Sequence, residues 1–412
     1  MGRVTRRLIA GLLVLGGVGG GGCRERAKAV QQQASVRDLV RQLRAQAESV
    51  TGLGFKRDVE VLQRTRTQVR DYIVRKFDED VPPADLAGAE AAYKLFGLIP
   101  ESIDLRAVMV NLLTEQVAGY YDPDSNALFI PTDLEDPFRV RLVASHELLH
   151  ALQNQYLPLD SLINQRHRND RRAAAQAVLE GQATFYQIPI LMPEQQPETL
   201  PPHWFWRQRA AMAKQQDQMP QFASAPLWLR ETLIFPYLGG ADFVGWFVRT
   251  HHGEEPFGTL MPLSTEQILH PDRYDAGDQP VELQFQEPGP DTTRYDDNLG
   301  EFEIGLLLTE LTHDTNETAG PAQAQGWGGD RYRVYGKQAD ALVWVSVWDD
   351  AAARDRFARA LAPAWAAHRA GSVGRRFAIT SLVIDGRAGV RLVDAPTEWV
   401  GWKSLPEVKV LP

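Results

Sequence analysis

The stretch VASHELLHALQNQY, residues 143–156, sets two histidines four residues apart with a glutamate directly after the first. On an α-helix, residues i and i+4 share a face with their Cβ atoms about 5–6 Å apart. His146 and His150 can therefore offer imidazole nitrogens to one metal ion. Glu147 is turned by about 100° from His146, so it can stand beside such an ion without ligating it and accept a proton from water. A catalytic zinc asks for three protein ligands and one open position. It lowers the pKa of its water and polarises a carbonyl. The competing reading is an amphipathic helix with two histidines in ordinary hydrogen bonds. The flanks support a helix in either case. Asp136 is placed to cap it with Pro137 at the first turn, and Val140, Val143, Leu148 and Leu152 recur at helical spacing.

A third ligand sorts the alternatives. The extended pattern H-E-x-x-H-x-x-G-x-x-H is not present, because position 153 is Gln and position 156 is Tyr. A glutamate from a second helix is the other solution. VLEGQATFY offers Glu180, 30 residues after His150, inside an Ala-rich apolar run. A carboxylate in such a setting needs a partner, since an unpaired buried charge is costly. A zinc ion, one per chain, would supply it. The bland alternative is a Glu180 on a solvated face paired with an arginine. Gly181, beside it, permits close approach of another backbone.

HELLH followed by EGQAT resembles the gluzincin metallopeptidases, whose second helix carries an E-G-x-A-[ST]-like motif. YLGGADFVGWF, residues 237–247, is similar to a Y-x-x-G-x-x-F-V helix of the broader peptidase-MA-like group. Together with GYYDPDSNALF, STEQILHP and GWGGDRY, these motifs also resemble bacterial lipoproteins described only as candidate metallopeptidases. The resemblance covers about residues 105–275 well, the C-terminal part loosely and the N-terminal part hardly at all. It implies His146, His150 and Glu180 as metal ligands, Glu147 as general base, and a peptide or protein as substrate. Two residues are candidates for stabilising negative charge on the carbonyl oxygen. Tyr237 stands where the family helix begins, and His270 stands in a short segment ended by Pro271. Each has packing as its alternative. The second class of function is a zinc-stabilised cell-envelope binding lipoprotein without peptidase activity.

The bulk numbers bound the rest. The net charge of -9 over 412 residues argues against nucleic acid as a partner. The single cysteine, Cys23, excludes an internal disulfide framework. It follows an Arg-bearing start, a short apolar run from Leu8 to Val18 and small residues, the layout of an export signal. A cysteine there resembles the lipidated cysteine of bacterial lipoproteins, although Gly20 stands where Leu is usual. The expectation is export to the cell envelope, with membrane attachment through a lipid anchor at Cys23.

The expected fold class is α+β. Residues 1–22 form a signal peptide and 23–80 an N-terminal helical hairpin or stalk. Residues 81–290 form a mainly helical, zincin-like metallopeptidase domain with a small sheet, and 291–412 a C-terminal α+β sheet domain in β-β-α-β-β order. Val117–Pro131 reads as a hairpin around DPDSN, either an edge strand open to an extended peptide or an ordinary core hairpin. Asn169 or Asp170 reads as the cap of the Glu180 helix.

Overall fold

The computed structural model describes residues 25–411, apart from 217, 316, 317 and 339; Cys23 and the expected leader lie outside the described residues. The chain is α+β, with long helices and three sheets among the described residues. Helix α1 (Glu25–Thr51) is followed by strand β1 (Glu60–Arg64), helices α2 (Arg66–Asp80), α3 (Pro83–Phe96) and α4 (Leu105–Gln116), and the hairpin β2 (Tyr120–Asp122) and β3 (Ala127–Pro131). The expected stalk is corrected here. Val59 and Val61 flank Glu60 at a strand's two-residue period, and β1 lies parallel to β3 in a small sheet ordered β1-β3-β2. Helix α1 packs along the helices behind that sheet, burying Val36, Val40, Leu43 and Ala47.

Those helices are α5 (Pro137–Tyr156), α6 (Asn169–Leu191) and α7 (Leu227–Thr250). Asp136 caps α5, its carboxylate accepting from the Phe138 N–H at 3.0 Å, and Pro137 occupies the first turn. The start of α6 departs from expectation, because its cap residue is Arg168. Asn169 and Asp170 are buried and spent on distant partners. Asn169 donates to Glu303 at 2.9 Å, and Asp170 accepts from the Thr265 N–H at 2.9 Å. Helices α6 and α7 touch backbone to backbone. A Cβ added at Gly240 would lie 1.9 Å from the Ala177 carbonyl oxygen, and one at Gly181 would lie 2.2 Å from the Gly240 carbonyl carbon. No larger residue fits either position without moving a helix.

The short helix α8 (Thr265–Leu269) and strands β4 (Leu283–Phe285) and β5 (Thr293–Asp297) lead to α9 (Gly300–Thr312). Then come β6 (Trp327–Tyr335), β7 (Ala341–Trp348), α10 (Ala351–His368), β8 (Arg375–Ile384), β9 (Arg387–Pro396) and β10 (Val408–Val410). The expected β-β-α-β-β order is present, and β5, in a stretch that reads as linker, adds a fifth strand in the order β5-β6-β7-β9-β8. One apolar core runs from α1 into this sheet. Phe96 on α3 meets Tyr332, Trp344 and Trp365 edge-on at 5.1–6.2 Å. The GWGGD stretch is structural. The buried Asp330 carboxylate accepts from the N–H groups of Leu299 and Gly300 and from the indoles of Trp327 and Trp344, tying the start of α9 to the sheet.

Candidate metal centre

Two helices bring three donor atoms to one point. His146 Nε2 lies 3.0 Å from His150 Nε2, and each lies 3.2 Å from Glu180 Oε2. Donors arranged tetrahedrally at zinc–ligand lengths of about 2.0–2.1 Å stand about 3.3–3.4 Å apart. The observed triangle fits that spacing. The histidines come from successive turns of α5, and the Gly181–Gly240 contact sets how deep α6 sits and therefore where Glu180 points.

The second nitrogen of the His150 ring is supported. Gln153 Nε2 donates to the Leu179 carbonyl and to Gln182 Oε1, both at 2.8 Å, which turns Gln153 Oε1 toward His150. His150 Nδ1 therefore donates to that oxygen at 2.8 Å, and its Nε2 faces the triad. The chain continues outward. Gln182 donates to Glu255 at 2.8 Å, and the Tyr186 hydroxyl donates to the other oxygen of the same carboxylate. Gln187, fixed by Leu142 and Ser145, favours the protonated form of His146, but His146 Nδ1 has no hydrogen-bond partner among the described residues.

Electrostatics show what the triad lacks. His146, His150 and Glu180 are buried to 3% exposure or less. Burial pushes the His146 imidazole below its ordinary range. Burial works the same way on His150, but the Glu180 carboxylate outweighs it and holds His150 up at about 9. Burial would raise Glu180, yet the two histidines pull it down to about 2. The cluster retains a proton on His150, which is the response of a buried carboxylate to a need for positive charge.

Glu147 is fully buried, and its Oε2 accepts from the main-chain N–H of Tyr121 at 2.8 Å. Strand β2 therefore lies directly against this carboxylate. β2 is the outer strand of its sheet, but all three of its residues are buried and the Tyr121 N–H is committed to Glu147. The hairpin thus stands at the edge of its sheet with buried side chains. Tyr237, on α7 three residues before Gly240, brings its ring to 5.9 Å from His146.

His270 is paired with a residue outside the triad. Its Nε2 meets Glu301 Oε1 at 2.8 Å, and the Glu301 charge acts on Asp170. Asp170 is ten residues from Glu180 along α6, about 15 Å of helix. The segment before Pro271 is local to that acidic partner, which lies far off in sequence and could not be read there.

A cavity of about 290 Å³ reaches Glu180 between α2, α6 and α7, walled by Tyr93, Trp228, Phe235 and Phe302. Asn169, Arg172 and Glu303 form a linked polar patch on its wall. The sequence reading passed over Arg172 and Gln176, although both repeat the four-residue spacing that ends at Glu180. It also passed over Gln153, three residues after His150 on the same face.

Comparison with known proteins adds little at this site. A domain of unknown function, DUF8575, matches residues 290–408, the C-terminal sheet and its helices, and stops short of the triad. A crystal structure of a candidate hydrolase with a novel fold from Chloroflexus aurantiacus is similar at a TM-score of 0.41 and 16% identity, over 62% of this chain and 92% of that one. No curated protein matches the sequence. Among the described residues, no helix is long and apolar enough to cross a membrane. The functional reading rests on the side chains.

Proposed function

We propose that the chain is a zinc-dependent metallopeptidase of gluzincin type, holding one zinc ion on His146, His150 and Glu180. The observation that carries this reading is the convergence of three buried donors within 3.2 Å of one another, beside a carboxylate that is not one of them. A closed structural site takes four protein ligands. Three donors plus an adjacent Glu147 leave a position for water and substrate. Zinc, when bound, supplies a Lewis acid that acidifies water and polarises the scissile carbonyl.

The protein's own groups do the proton work. Glu147 takes a proton from the attacking water and delivers it to the leaving amine. The Tyr121 N–H holds one oxygen of Glu147 in place, so the carboxylate keeps its direction through both transfers. The Gln153–Gln182–Glu255 chain keeps the His150 Nε2 lone pair aimed at the ion. Tyr237, beside His146, is the nearest candidate for donating to the developing oxyanion. The cavity at Glu180 receives a largely apolar portion of the peptide, with Arg172 and Glu303 meeting its polar atoms.

Kinetics on a peptide library test this. Glu147→Gln should lose about 10³-fold in turnover while zinc content stays at one per chain. Tyr237→Phe should lose about 10²-fold in kcat with KM little changed. Full activity in Glu147→Gln removes the mechanism. A zinc-loaded parent that cleaves no peptide instead supports a binding protein stabilised by its metal.

A further inference from the structure

Outside the triad, Glu266 on α8, Asp278 in the loop that follows and Asp349 directly after β7 place carboxylate oxygens within 4.8 Å of one another. Asp278 and Asp349 are bridged by Arg273, which reaches Asp278 at 2.8 Å through one nitrogen and Asp349 through another. Glu266 has no such match. It is 2% exposed, and its Oε1 has no hydrogen-bond partner among the described residues. A second, separate carboxylate makes the same demand. Glu301, on the first turn of α9, is 3% exposed, and its charge bears on Glu266 more strongly than that of either aspartate. His270 satisfies Glu301 Oε1 at 2.8 Å, while Oε2 has no partner among the described residues.

Two buried carboxylates with a bare oxygen each are expensive, and the local charge does not close. Four carboxylates face one guanidinium and one imidazole. Even with His270 protonated, the group falls short by two positive charges. Asp278 is half-buried and Asp349 exposed, so the group is open to solvent on that side and an ion could enter. From these features we infer that Glu266, Asp278 and Asp349 form a binding site for a hard divalent cation, calcium. The donors are carboxylate oxygens, the preference of calcium and not of zinc. Oxygens on opposite sides of a calcium ion stand up to about 5 Å apart, given Ca–O lengths of about 2.3–2.6 Å, which the 4.8 Å spread matches. The ion would join α8 and the loop after it to Asp349 on the sheet side.

The test is calcium content and melting temperature of the full chain after dialysis against millimolar calcium, for the parent, Glu266→Gln, Asp349→Asn and Glu180→Ala. The expected result is one calcium per chain in the parent and in Glu180→Ala. Calcium should raise the parent's Tm by a few degrees and leave Glu266→Gln and Asp349→Asn unmoved. No calcium on the parent, or the same calcium response in Glu266→Gln, overturns the site. Should the variants fail to fold, terbium luminescence on the parent decides: a signal that calcium displaces supports the site, and its absence overturns it.

Discussion

The triad and the Glu266 group both gather carboxylates in the same molecule, and they are built from different materials. At the triad two imidazoles meet one carboxylate, every donor is buried, and Gln153 orients the His150 ring from behind. At Glu266 the donors are oxygens only, an arginine already bridges two of them, and one side is open to solvent. Imidazole with a single carboxylate suits a borderline ion that must keep a free position for chemistry. A ring of carboxylates suits a hard ion that fastens parts together. The contrast teaches that donor type, imidazoles with one carboxylate against carboxylates alone, separates a candidate reaction centre from a candidate clasp.

The sharpest way to break the comparison is to move the helices that set the triad. Gly240→Ala puts a Cβ 1.9 Å from a backbone oxygen of α6, which a rotamer change cannot relieve. The expected cost is about 3 kcal/mol, read by chemical denaturation, with weakened zinc binding and an unaltered calcium response in whatever fraction folds. Parent-like stability would mean that the glycine contact does not set the depth of Glu180. A smaller effect is expected behind the ligands. Gln153→Ala frees the His150 ring and should weaken zinc affinity by about 10–100-fold, measured by competition with a chelator. The smallest change is a matter of pH. His150 holds its proton up to about 9, and zinc must displace it. Apparent zinc affinity should therefore fall by about tenfold for each unit that the pH drops below that value. A flat profile between pH 6 and 8 would show that zinc displaces no proton from His150 in that range.

The sequence was most readable where partners lie close along the chain. His146, Glu147 and His150 occupy adjacent turns of one helix, so their spacing alone specifies a shared face. Asp136 and Pro137 announce that helix's start, and the structure places the cap there. Glu180 was legible as a lone charge in an apolar helix. Legibility failed where the deciding partner is remote. Asn169 and Asp170 look like caps, but bonds to Glu303 and Thr265, 134 and 95 residues away, bury them inside the helix. His270 looks like a loop histidine near chemistry, and its partner Glu301 stands 31 residues on. β1 was hidden by period. Val59 and Leu62 also fit a helical stripe, and only pairing with β3 settles the strand. Gln153 and Gln182 carried no signal beyond being amides on the ligand-bearing faces. Their value comes from an interhelical bond that no local pattern encodes.

The most direct test of the central claim is the zinc content of the purified full chain, parent beside Glu180→Ala. The account predicts one zinc per chain in the parent and a loss or strong weakening in the variant, with its fold retained by circular dichroism. A parent that takes up no zinc after reconstitution, or a variant that holds zinc as tightly as the parent, would contradict the three-donor centre and return HELLH to two histidines on a buried helix.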